Sequence, residues 1–100
     1  MADRWLVIEA TRNGRPTTTL KDAFFDFSSD STMVTNIFGA DQSYPYQIHG
    51  KSIEQYGTQE VTYSIDYQVT DTIVLSAQIY SYAFSFLAIR DTSSVENTSN

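Results

Sequence analysis

Residues 61–88 read VTYSIDYQVTDTIVLSAQIYSYAFSFLA, and apolar and polar side chains change places along nearly all of it. Val61, Tyr63, Ile65, Tyr67 and Val69 fall on one side, with Thr62, Ser64, Asp66, Gln68 and Thr70 on the other. After a turn at Thr70-Asp71-Thr72 the register resumes with Ile73, Leu75, Ala77 and Ile79, then Tyr82, Phe84, Phe86 and Ala88. A period of two belongs to strands of an antiparallel sheet with one dry face and one wet one.

Working outward, the same signals divide the rest of the chain into short strands. Arg4 to Arg12, carrying Trp5, Leu6, Val7 and Ile8, ends at Asn13-Gly14-Arg15-Pro16, and Asn-Gly is a strong hairpin signal. Thr17 to Lys21 leads to a second strand, Ala23 to Ser28, with Phe25 and Phe27 on one face; Phe24 breaks the pattern and is expected to plug one end. The polar cluster Ser28 to Ser31 precedes a third strand, Thr32 to Phe38. Ser43 to His49 places Tyr44, Tyr46 and Ile48 together, and Pro45 hints at an edge or bulge because it has no N–H for the ladder. Ser52 to Tyr56 follows the His49-Gly50-Lys51 turn, and Gly57-Thr58-Gln59 leads into the long hairpin. No segment predicts a helix.

Brief turns between successive strands favour neighbour pairing, an up-and-down meander. A single sheet would leave two raw edges and an uncovered apolar face, and closure removes both. The predicted fold class is therefore all-β, an eight-stranded antiparallel meander barrel, fully closed or partly open. Residues 1–90 form that one domain, and 91–100 are read as a disordered polar tail.

Composition narrows the function classes. The chain has 100 residues, 41% of them hydrophobic, with seven Tyr and six Phe, as suits a folded β-rich domain. A formal charge of -6 with six basic residues argues against nucleic-acid partners, which are held by Lys and Arg on phosphates. The absence of Cys excludes disulfides, thiolate nucleophiles and Cys-ligated metals. No apolar run approaches the roughly 20 residues of a spanning helix.

Four stretches carry a family resemblance. Arg4-Trp5-Leu6-Val7, Ala10-Thr11-Arg12-Asn13-Gly14-Arg15-Pro16, Phe25-x-Phe27 before Asp30, and Thr70-Asp71-Thr72-Ile73-Val74-Leu75-Ser76 together resemble the small bacterial lipocalin-like domains. The resemblance spans nearly the whole chain and implies a small meander barrel with Trp5 closing its floor. It also implies an extracytoplasmic setting, periplasmic or lipoprotein-anchored where a leader is removed. Two departures stand out: Asp3 occupies the place where the lipocalin pattern has Gly, and no helical period follows the last strand.

The inward face suggests the chemistry. Phe25, Phe27, Tyr44, Tyr46, Tyr63, Tyr67, Tyr82, Phe84 and Phe86 are expected to line one space, apolar walls with a few phenolic donors that suit a small apolar or amphiphilic ligand. The competing expectation is that these rings fill the barrel, leaving a structural or protein-interaction module. Oligomeric expectations are a monomer or an edge-paired homodimer.

Other candidates carry less. His49, the sole histidine, sits beside Gly50 in a turn, so no metal site and no cofactor are expected. Asp26, Glu9 and Asp66 fall on an outer face, where carboxylates usually serve solubility. No Gly-x-Ser-x-Gly elbow accompanies the serines, and a non-enzymatic protein is expected. Asn97-Thr98-Ser99 matches a glycosylation acceptor by coincidence, and Arg12 and Arg15 flank the first turn where an anion could meet the barrel mouth.

Overall fold

The computed structural model describes residues 3–17 and 22–91, and its regular structure there is entirely β. In chain order the strands are β1 (Arg4–Arg12), β2 (Arg15–Pro16), β3 (Phe24–Asp26), β4 (Thr32–Thr35), β5 (Gln42–His49), β6 (Ser52–Gln55), β7 (Val61–Gln68), β8 (Thr72–Ile79) and β9 (Tyr82–Arg90). Each neighbour pair is antiparallel, and β1 also pairs with β9 from Trp5↔Arg90 to Arg12↔Phe84. That last ladder closes an eight-strand up-and-down barrel, with β2 as a short extra strand on β1. Of the predicted polar tail, everything beyond Asp91 lies outside the described residues, as do most of the Thr17 to Lys21 connection and the Asn97-Thr98-Ser99 motif.

Turn chemistry follows the sequence closely at the first hairpin. Arg12 pairs with Arg15, and both central residues have positive φ, Asn13 at 53° and Gly14 at 81°. This is the type I′ signature, whose twist matches that of the flanking strands. Pro45, read as a sign of an edge or bulge, lies instead in the regular β4–β5 register opposite Thr32. Its carbonyl accepts the Tyr56 N–H at 2.8 Å, just past the end of β6.

Two bulges re-aim β1 and β7. In β1 the register advances from Val7↔Ala88 to Glu9↔Leu87, so Ile8 is the extra residue and stands 54% exposed. In β7 it advances from Ile65↔Leu75 to Tyr67↔Val74, making Asp66 the extra residue. A bulge shifts the alternation by one position, and every side chain beyond it changes face.

The interior is built of rings and branched aliphatics. Trp5, Phe25, Phe27, Met33, Tyr44, Ile53, Tyr63, Ile73, Leu75 and Phe86 are buried. Phe25 meets Tyr63 and Phe86 edge-on, each at 5.4 Å between ring centroids, and Phe27 lies 5.3 Å from Tyr46. Such pairs contribute about 0.5–1.5 kcal/mol each beyond the area they bury. Phe24 is buried as well, but on the outer side of β3, where the Arg4 guanidinium covers its ring at 4.1 Å; it does not plug an end. Arg4 is steered there by Asp26 at 3.9 Å and Asp91 at 3.5 Å.

The two ends of the barrel differ. One end carries Trp5 opposite Arg90, together with the β3–β4, β5–β6 and β7–β8 connections. The other gathers the β1–β2 hairpin, residues 36–41 between β4 and β5, and the Tyr80-Ser81 turn between β8 and β9.

Candidate functional site

Of the nine rings expected to line one space, six do so: Phe25, Phe27, Tyr44, Tyr46, Tyr63 and Phe86 are all buried in the core cluster. Phe84 is half-buried and stacks on Phe86 at 5.9 Å, carrying the aromatic column toward the hairpin end. Two placements need correction. Tyr67 is 55% exposed because the bulge at Asp66 turns it onto the outer face beside Val74. Tyr82 keeps inward register opposite Ile79, but it stands on the rim, 42% exposed.

Inside the barrel every tyrosine hydroxyl has a protein partner. Tyr63 Oη donates to Gln55 Oε1 at 2.7 Å, and Gln55 Nε2 in turn donates to the Gln59 carbonyl at 2.8 Å. Tyr46 Oη donates to the Ser29 carbonyl at 2.7 Å, and Tyr44 Oη to Gln42 Oε1 at 2.9 Å. Burial, with a smaller contribution from nearby Tyr44, pushes the Tyr63 phenol well above its usual range. Burial and the charge of Asp30 raise Tyr46 in the same way. The Tyr63 and Tyr46 phenols are neutral packing elements at any physiological pH, the first bonded to a glutamine side chain and the second to a backbone carbonyl.

Two concave surfaces lie at the hairpin end. Ile37, Phe38, Ile79, Tyr80 and Phe84 line an apolar trough of about 230 Å³, open on one side. Ile37 and Phe38 reach it because β4 stops at Thr35, so the residues expected to continue that strand turn across the barrel end instead. Thr35 Oγ1 donates to the Phe24 carbonyl at 2.7 Å, while Asn36 Oδ1 accepts the Phe24 N–H at 3.0 Å and Asn36 Nδ2 donates to the Asp22 carbonyl at 3.1 Å. The strand end is thereby fixed against its neighbour.

Tyr80 is the unusual member of this wall. Ile79 pairs with Tyr82, leaving Tyr80-Ser81 as a two-residue turn, and Tyr80 has φ of 57°. A hairpin position with positive φ at its first central residue favours Gly, and a bulky residue there stores about 1–3 kcal/mol of backbone strain. The ring is held out at 76% exposure, along the trough. Sequence reasoning missed Ile37, Phe38, Ile79 and Tyr80 as site residues; an aromatic in a tight two-residue turn was the available signal.

Beside the trough lies a polar crevice of about 400 Å³ lined by Arg12, Asn13, Arg15, Pro16, Thr17 and Tyr82. The Arg12 guanidinium sits 5.1 Å from the centre of the Tyr82 ring, and Tyr82 meets Phe84 edge-on at 6.3 Å. Arg12, Tyr82, Phe84 and Phe86 thus form a continuous file from crevice to trough to core. Two reciprocal hydrogen bonds brace it: the Asn13 N–H donates to the Ala83 carbonyl at 2.7 Å, and the Ala83 N–H to Asn13 Oδ1 at 2.9 Å.

The remaining candidates are dispersed. His49 meets Glu54 at 3.0 Å on the exterior near the opposite end, and Asp26 is paired with Arg4. Glu9 and Asp66 stand on strands separated by β8 and β9. Among the described residues no three His, Cys, Asp or Glu side chains stand close enough to share a metal ion. No helix among them is long and apolar enough to cross a membrane. Set against known proteins, the chain matches no family model, no curated protein and no solved structure.

Proposed function

We propose that this is a small, non-enzymatic, lipocalin-like barrel that binds an apolar or amphiphilic small molecule, seated at the hairpin end and not among the central rings. The observation that carries this reading is the open apolar trough of Ile37, Phe38, Ile79, Tyr80 and Phe84. Ligand sites are concave, mostly apolar and held by rigid elements, and about 300 Å³ is their ordinary lower limit. A trough of 230 Å³ therefore suits one slender alkyl chain better than a bulky ring system. The strained Tyr80 adds support, since backbone strain tends to persist where a side chain is put to use. The closed meander and the burial of Trp5 near one end agree with the lipocalin resemblance.

Titration with 1-decanol, below its solubility limit and followed by calorimetry, tests the reading. Saturable binding is expected in the wild type, weakened at least tenfold by Ile37→Trp, whose indole would occupy the trough. No saturable heat, or binding indifferent to Ile37→Trp, contradicts it. A second reading, a filled barrel serving as a structural or protein-interaction module, is favoured by the ring-to-ring packing and the satisfied interior hydroxyls. It requires that no alkyl probe bind at all.

A further inference from the structure

We infer that the crevice beside the trough is a site for an anionic headgroup, so that the molecule held at the hairpin end is a single-chain anionic amphiphile. The inference rests on the trough reading above and gives its ligand a chemical class.

The chain has twelve carboxylate residues against six basic ones, yet among the described residues Arg12, Arg15, Lys51 and Arg90 make no ion pair with a carboxylate, and of these Arg12 and Arg15 stand together as cross-strand neighbours. Arg4 engages two carboxylates, Asp26 and Asp91, and His49 engages Glu54. Among the described residues neither Arg12 nor Arg15 is paired with any carboxylate. Both line the same concavity.

Local folding puts them there. Arg12 pairs with Arg15 across the type I′ hairpin, which holds two like charges as immediate cross-strand neighbours. Like charges placed opposite one another are destabilising, and an anion between them turns that repulsion into attraction. The bulge in β1 gives Arg12 the inward register of Ala10, opposite Phe84, so it faces the mouth of the barrel. Tyr82 holds the guanidinium by cation–π contact, which leaves the edge N–H groups available to a carboxylate or phosphate. Asn13 engages its Oδ1 with the Ala83 N–H, leaving its amide nitrogen as a further donor.

Tyr82 of the crevice and Phe84 of the trough meet edge-on, which joins the two concavities. A headgroup against the arginines would hand its chain over Phe84 to Ile37, Phe38 and Ile79. Guanidinium forks accept carboxylate and phosphate alike, so the shared chemistry is a compact monoanionic or dianionic oxyanion on an alkyl chain.

The test compares decanoate, decyl phosphate, 1-decanol and decyltrimethylammonium by calorimetry at about 0.15 M salt, where the Debye length is about 8 Å and distant carboxylates are screened. In the wild type the two anions should bind at least tenfold more tightly than the alcohol, and the cation more weakly than the alcohol. The stronger of the two anions names the headgroup. Arg12→Gln/Arg15→Gln should abolish the anion preference while leaving 1-decanol affinity within twofold, because both side chains are exposed and outside the trough. Equal wild-type affinities for anion and alcohol, or a preference that survives in the double variant, overturn this inference while leaving the trough reading intact. Absence of binding by all four probes overturns both.

Discussion

Removing one oxygen from the barrel interior, by Tyr63→Phe, should destabilise the fold by about 2 kcal/mol. Tyr63 is fully buried, and its hydroxyl donates at 2.7 Å to Gln55 Oε1 on the neighbouring strand. Gln55 is itself 1% exposed, and its Nε2 is committed to the Gln59 carbonyl. The variant therefore leaves a buried acceptor unsatisfied, which costs about 1–3 kcal/mol where water does not reach it. For a domain of this size, about 2 kcal/mol corresponds to a melting temperature lower by about 8–16 °C. The companion variant Tyr63→Phe/Gln55→Leu removes both partners, and the half-buried Gln59 carbonyl lies where solvent can take over. It should recover at least half of the loss, giving a coupling of about 1–2 kcal/mol in a double-mutant cycle. Urea denaturation followed by Trp5 emission measures all four proteins. Additive effects in that cycle, or a Tyr63→Phe variant as stable as the wild type, would refute the claim that this hydroxyl is sealed inside a filled interior.

Four further outcomes are expected. The raised Tyr63 phenol adds stability that is fully present below the unfolded value near pH 10 and falls as pH climbs beyond it, with a limiting slope of about 1.4 kcal/mol per unit; denaturation between pH 9.5 and 11 should show a steeper fall in the wild type than in Tyr63→Phe, the difference growing toward that limit as pH rises. Phe25→Ala, which deletes a ring in contact with Phe27, Tyr63 and Phe86, should cost about 3–5 kcal/mol by the same denaturation assay. Tyr80→Gly should leave stability unchanged or raise it by up to about 1 kcal/mol while weakening 1-decanol binding several-fold, a separation that calorimetry and melting together reveal. Tyr67→Thr, on the exposed outer face, should change neither stability by more than about 0.5 kcal/mol nor alkyl-probe affinity.

The alternation over residues 61–88 was enough to read an antiparallel meander, and closure followed from the need to cover edges; the β1–β9 ladder is that closure. What the pattern could not express was the phase change at Asp66. A period of two continues to the eye through Tyr67 and Val69, yet one inserted residue in β7 sends Tyr67 outward. The site was harder to read for a related reason. Ile37 and Phe38 look like the end of a strand, and only the Thr35 and Asn36 side-chain bonds to backbone groups of the neighbouring segment break β4 early and swing them over the barrel end. Arg12 and Arg15 were visible as flanks of a turn. That they share a crevice with Tyr82 depends on the β1 bulge and on the Asn13–Ala83 brace, which joins residues seventy apart in the chain.

The most direct test of the account is a methyl and aromatic NMR titration with 1-decanol. Ligand-induced shifts and intermolecular NOEs should concentrate on Ile37, Phe38, Ile79, Tyr80 and Phe84, with Phe25, Tyr63 and Trp5 nearly unmoved. Perturbations centred on the interior rings or spread over the outer face, or none at saturating probe, would contradict it.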